Sequence, residues 1–194
     1  MKNEISETNV RRDFLKTSAI LTGGALLSSL PLAGAYASGS DTIKIALIGC
    51  GSRGTGAAFQ ALSTKFNLKL VAMADAFPDK LDKSYKALLA KFGAEKISVP
   101  DDKKFTGFDA YRHAMTDADV VLIATPPGFR PSHFAEAVKQ NKQIFMEKPV
   151  ATDSPGIRSV LATAEEAKRK KLNVVVGLQR HYQKSYLEII GRAH

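Results

Sequence analysis

The stretch IKIALIGCGSRGTG, residues 43–56, constrains the fold more than any other part of the chain. A short apolar run ends in glycines, as expected of a strand buried on both faces. Gly49, Gly51 and Gly54 follow with the spacing G-x-G-x-x-G, at the passage from this strand into a helix. In such a loop the first glycine permits a tight turn and the second lets backbone approach a bound group. The third lets helix and strand pack closely. A glycine-rich turn with no ligand is the plain alternative, and the flanking strand and helix argue against it.

The rest of the chain alternates in the same way. Apolar spacing predicts a helix over 55–66, with Ala57, Ala58, Ala61, Leu62 and Phe66 on one face. LKLVAMAD predicts a second strand. A helix follows over 78–92, with Pro78 in its first turn and Leu81, Tyr85, Leu88 and Leu89 at helical spacing. KISVP is expected to be a short strand and FDAYRHAM a short helix. DADVVLIATPP is a buried strand stopped by two prolines, and residues 131–141 are helical. QIFMEKP is a strand, SPGIRSVLATAEEAKRKK a helix and NVVVGLQ a last strand. Residues 184–192 start another helix. Such alternation predicts an α/β fold, a doubly wound parallel sheet with helices on both faces.

The formal charge of +9 favours anionic ligands. No helix-turn-helix, finger or aromatic RNA-binding motif accompanies it, so nucleic acid is not the expected partner. The run KRKK at 168–171 closes a helix, where cations complement the dipole. The one cysteine, Cys50, excludes an internal disulfide and is a small packing residue of the loop. The four histidines show no metal spacing, so no metal is expected.

Residues 1–37 have the form of an export signal. Arg11 and Arg12 precede a short apolar stretch over 17–32 that is diluted by glycine, serine and threonine, and Ala35-Tyr36-Ala37 offers a small-residue cleavage site. The stretch is too short and polar for a stable membrane anchor. RRDFLK resembles the twin-arginine signal, with Val10 where serine or threonine is usual. The alternative is an ordinary basic leader. Twin-arginine export moves folded proteins, so this chain is expected to fold around its cofactor and reach the periplasm or exterior with it.

A dinucleotide fits the glycine loop. Ser52 lies in the loop on the cofactor side, the helix N-terminus that follows offers free N–H groups to phosphates, and Arg53 adds a positive charge. Asp75 ends the second strand, 26 residues after Gly49, where an acid binds the ribose hydroxyls of NAD and repels the 2′-phosphate of NADP. Its alternative role is a helix cap near Pro78. ATPPGF places Thr125 and Pro126 at a strand's carboxyl end, in reach of the cofactor or simply as a proline-stopped connection. Glu147 and Lys148 follow an apolar strand and precede Pro149. A lysine in a cleft beside a carboxylate can relay protons; a solvated Glu–Lys pair is the plain alternative. Arg180, His181 and Tyr182 follow the last strand and are expected to face the same crevice. His133, on a predicted helix face, is expected to be structural.

GCGSRG, Asp75, ATPP, MEKPVATD and VVVGLQRHY together resemble the Gfo/Idh/MocA oxidoreductases, over about residues 42–194. The exported twin-arginine members are the most similar. The resemblance implies a Rossmann-type NAD-binding domain over 42–180, then an α/β substrate domain beginning at 181–194. It implies NAD(P)-dependent redox chemistry on a sugar, polyol or related carbonyl, and a homo-oligomer at full length. The family's proton-handling lysine falls on Lys148, its glycine loop on Gly49, Gly51 and Gly54, its ribose acid on Asp75 and its Thr-Pro turn on Thr125 and Pro126.

Two departures stand out. Many members carry a histidine about five residues after the threonine of that turn, whereas His133 lies eight after Thr125, so this loop is longer. The family's catalytic histidine lies in the second domain, beyond YLEIIGRAH. The chain is therefore expected to be a piece of a longer protein, inactive alone. Two other functions remain open at this stage. One is an NAD-dependent glycoside hydrolase of the same superfamily, a branch that tends to lose the lysine that is present here. The other is a non-catalytic dinucleotide-binding protein.

Overall fold

A computed structural model describes residues 42–193. The leader predicted over 1–37 lies outside the described residues. Six parallel strands form one sheet: β1 (Ile43–Ile48), β2 (Leu68–Asp75), β3 (Lys104–Thr106), β4 (Val120–Ile123), β5 (Gln143–Met146) and β6 (Val174–Val176). Their order is β3-β2-β1-β4-β5-β6. The order reverses between β1 and β4, which opens a crevice at the carboxyl ends of the strands where α/β sheets bind ligands. The helices are α1 (Ser52–Leu62), α2 (Pro78–Lys96), α3 (Ala110–Ala114), α4 (Arg130–Lys139), α5 (Ser154–Arg169), α6 (Gln179–Tyr182) and α7 (Lys184–Ala193).

Side chains along a strand alternate between its two faces, and β1 uses both. Ile45 and Leu47 pack with Ala58 and Leu62 of α1 and Leu81 and Leu88 of α2. Ala46 and Ile48 pack with Ala110 and Ala114 of α3, Phe134 and Val138 of α4 and Val160 of α5. Two cores therefore sandwich the sheet, and β1 is its buried axis. Each large side chain fully buried there contributes roughly 1.5–3 kcal/mol.

Three expectations need correction. The first helix starts at Ser52 and ends at Leu62, and Phe66 is 69% exposed beyond it. The hydroxyls of Ser63 and Thr64 donate back to the carbonyls of Phe59 and Ala61, which closes the helix before Phe66 can join its face. KISVP forms only one bridge, Ile97 to Leu70. Pro100 has no N–H to extend a ladder, and a short 3₁₀ turn over Asp101–Lys103 leads into β3 instead. That strand, Lys104–Thr106, pairs with Met73–Asp75 in a stretch where the sequence predicts no element.

Candidate active site

The carboxyl ends of the strands enclose a cavity of about 900 Å³, the size of a small-ligand site. Gly49, Gly51, Ser52, Arg53, Asp75, Thr125, Pro126, Glu147 and Lys148 all line it. The sheet order sets their arrangement. Asp75 on β2 and the Glu147–Lys148 turn after β5 stand on opposite sides of the glycine loop after β1. The lining carries four cationic side chains, Arg53, Lys80, Arg130 and Lys148, against the two carboxylates Asp75 and Glu147. That excess of positive charge suits a polyanion.

The glycines do three different jobs. Gly49 has φ +93°, and a Cβ there would lie 2.7 Å from the Thr125 nitrogen. A Cβ on Gly54 would meet the Gly49 carbonyl oxygen at 1.8 Å, so Gly54 packs behind the loop without lining the cavity. A Cβ on Gly51 would meet nothing within 4 Å. Of these three, only Gly51 leaves ligand space open where its side chain is missing. Gly51 is the extended N-cap of α1, no side chain caps this helix, and its first turn holds no acid. The first N–H groups and the positive dipole end are thus left to an anion.

Asp75 braces the loop. Its Oδ2 accepts from the Cys50 N–H at 2.6 Å and its Oδ1 from the Phe77 N–H at 3.0 Å. It does not cap α2, whose N-cap is Phe77, without a side-chain cap. Cys50 is 3% exposed, and burial, reinforced by the Asp75 charge, pushes its thiol far above the ordinary thiol range. It packs and does not react.

Thr125 is held from α4. Its Oγ1 lies 3.0 Å from His133 Nδ1, and the imidazole stacks 4.0 Å from the Tyr111 ring. His133 lines the cavity while only 6% exposed. Burial first, then the Arg112 charge, lower its pKa to about 4, so the ring is neutral near pH 7.

Glu147 is 2% exposed and lies 2.5 Å from the Arg53 guanidinium. The contact is an ion pair of poor hydrogen-bond alignment, because Oε1 accepts no hydrogen bond of ordinary geometry. A Cβ on Gly177 would come within 3.0 and 3.1 Å of the Glu147 oxygens. Lys148 is exposed at the cavity wall, and its peptide bond to Pro149 is cis.

Arg180 is not brought to this cavity. Its guanidinium lies over the Tyr186 ring of α7, 5.5 Å from the centroid, and Gly177 and Gln179 supply the wall after β6. Sequence reasoning missed Arg130, Phe77, Phe108 and Phe129. Arg130 is 5% exposed, and its NH1 donates to the Pro149 carbonyl. A charged residue directly before a proline in the first turn of a helix was the available signal. Among the described residues, no group of His, Cys, Asp and Glu is placed to hold a metal. No described helix is long and apolar enough to cross a membrane.

Residues 43–177 match the oxidoreductase family with an NAD-binding Rossmann fold, Gfo/Idh/MocA. The chain belongs to that family. An inositol 2-dehydrogenase of Rhizobium meliloti is 28% identical over 148 residues, covering 76% of this chain and 39% of the relative. A glycosyl hydrolase family 109 protein of Solibacter usitatus is 30% identical over 166 residues, covering 82% and 37%. The crystal structure of scyllo-inositol dehydrogenase from Lactobacillus casei, with bound NAD(H) and scyllo-inositol, superposes with a TM-score of 0.61. It is 24% identical, and the match covers 79% of this chain and 41% of that one. The chain thus spans about two fifths of the length of these proteins. The site passes its own test for an NAD-sized ligand: a free helix N-terminus, open space at Gly51 and a carboxylate at the end of β2 all meet in one cavity.

Proposed function

We propose that this NAD-binding chain serves an exported oxidoreductase that moves hydride between nicotinamide and a sugar, polyol or related carbonyl. The observation that carries this reading is the placement of Lys148. It lines the cavity beside Glu147, across the glycine loop from Asp75. If Asp75 takes the adenine-side ribose, the nicotinamide half extends toward the turn after β5. Gly49, Gly51, Ser52, Arg53 and Gly54 form or shape the phosphate cradle. Thr125 and Pro126 flank it, and Glu147 closes its floor.

When bound, the nicotinamide ring supplies the hydride donor or acceptor. Oxidation of an alcohol also releases a proton, and Lys148 takes it from the substrate hydroxyl; in reduction Lys148 returns it. The preference is for NAD over NADP, because Asp75 repels a 2′-phosphate. Residues 42–180 form the NAD-binding domain, and 181–194 begin the substrate domain. Residues 1–37 act as the twin-arginine signal, so the protein works outside the cytoplasm.

One finding favours a second reading. Glycosyl hydrolase family 109 proteins are among the relatives, at 26–30% identity. In that reading a sugar carbon is oxidised transiently, the aglycone is eliminated, water adds to the double bond so formed and the hydride returns, with no net change in NAD. The test is Lys148→Ala in the product of the intact gene. Turnover should fall at least a hundred-fold while NAD affinity stays within about two-fold. A joint loss of both would remove the proton-relay role.

A further inference from the structure

Arg130 breaks two local rules at once. It is the first residue of α4, where the dipole and the unsatisfied N–H groups disfavour a cation. It is also 5% exposed, and arginine is almost never so buried unless paired. A residue that violates local preference without helping its own helix points to a functional demand.

Its contacts show what the demand is. NH1 donates to the carbonyl of Pro149. Burial lowers the pKa of the guanidinium, and the charge of Glu147 works against that lowering. Nε has no partner, so the side chain is not placed there for its own satisfaction. One turn along the same helix, His133 holds Thr125. The first turn of α4 therefore reaches both loops that flank the β5 side of the cavity, the Thr125–Pro126 loop and the Glu147–Lys148–Pro149 turn.

The two arginines that line this cavity differ in kind. Arg53 has a side chain 53% exposed, at the start of α1, and can exchange the carboxylate for a phosphate. Arg130 is buried and cannot leave. We propose that Arg130 is the positioning residue of the Glu147–Lys148–Pro149 turn. It clasps the Pro149 carbonyl from a buried position, so that this turn meets the nicotinamide half of the dinucleotide in one geometry. The inference rests on the dinucleotide reading given above.

The test is calorimetric titration of the protein with NAD and with ADP-ribose, which lacks only the nicotinamide. The wild type should bind NAD more tightly than ADP-ribose. Arg130→Gln should weaken NAD about ten-fold and change ADP-ribose less than two-fold. Arg130→Lys, which keeps the charge and one donor, should recover part of the loss. If the Gln variant does not fold, the Lys variant alone decides, with NAD weakened about three-fold and ADP-ribose unchanged. Equal loss of both ligands, unchanged NAD affinity in both variants, or a wild type that binds the two ligands equally would overturn the proposal. A wild type that binds neither ligand would instead overturn the dinucleotide reading itself.

Discussion

Arg53, in the first turn of the helix after the glycine loop, lies 2.5 Å from Glu147, at the end of β5. The pair joins the cradle for the phosphates to the turn that carries Lys148. Arg53 cannot serve a pyrophosphate fully while it is held by Glu147. Glu147→Gln should therefore release it and strengthen ADP binding by about two- to five-fold. The gain is modest because Arg53 is more than half exposed and solvent screens the pair. Calorimetry with ADP checks this, and weaker ADP binding in the variant would show that the pair organises the phosphate site.

The three glycines separate folding from binding. Gly54→Ala drives a methyl into the Gly49 carbonyl and should cost at least about 3 kcal/mol, read as a lower urea midpoint. Gly51→Ala adds a methyl to open space, so stability should change by less than about 1 kcal/mol. Its NAD affinity should nevertheless fall ten-fold or more, because the methyl occupies ligand space. Full NAD affinity in Gly51→Ala would move the phosphates away from this loop.

Asp75→Ala should weaken NAD about ten-fold and narrow the preference over NADP. The carboxylate also accepts two backbone N–H groups, so stability should fall by about 1–3 kcal/mol. Titration with both dinucleotides decides the matter, and an unchanged NAD-to-NADP ratio would take Asp75 out of the ribose site.

His133 predicts a pH effect. Its pKa is near 4 in the folded chain and 6.5 when free, with burial the leading cause. As pH falls, the unfolded chain takes up this proton first. Stability from this group is therefore complete above pH 6.5 and is lost as pH falls toward 4, by an amount on the order of 3 kcal/mol. Urea unfolding at both ends of that window should show a smaller loss for His133→Asn than for the wild type. Equal losses would contradict the buried neutral ring.

The parts legible in the sequence were those whose signal is local. The apolar run before Gly49 announced a strand buried on both faces, and the glycine spacing announced the loop. The position of Asp75 followed from the end of the next apolar run. Glu147 and Lys148 stood out as charges directly after a buried strand. What stayed hidden depends on tertiary contact. Strand β3 has three residues, too few for a periodic pattern, and exists because β2 offers it an edge. The role of Arg130 depends on the Pro149 carbonyl, which only the fold brings to it. Arg180 looked like a crevice residue because it follows β6, but the chain turns at once into α6, and the side chain lies over Tyr186. His133 was expected to be structural; the fold places its ring both in the core and in the cavity wall, because Thr125 needs a partner there.

Net hydride exchange with a polyol or sugar, assisted by Lys148, is the activity expected of the intact protein. The most direct measurement takes the purified product of the intact gene with NAD and a panel of cyclic polyols and aryl glycosides. NADH formation and aglycone release are followed in the same reaction. Net NADH is expected from at least one polyol or sugar, with no free aglycone. Release of aglycone with no net NADH would contradict it and assign the protein to the hydrolytic branch.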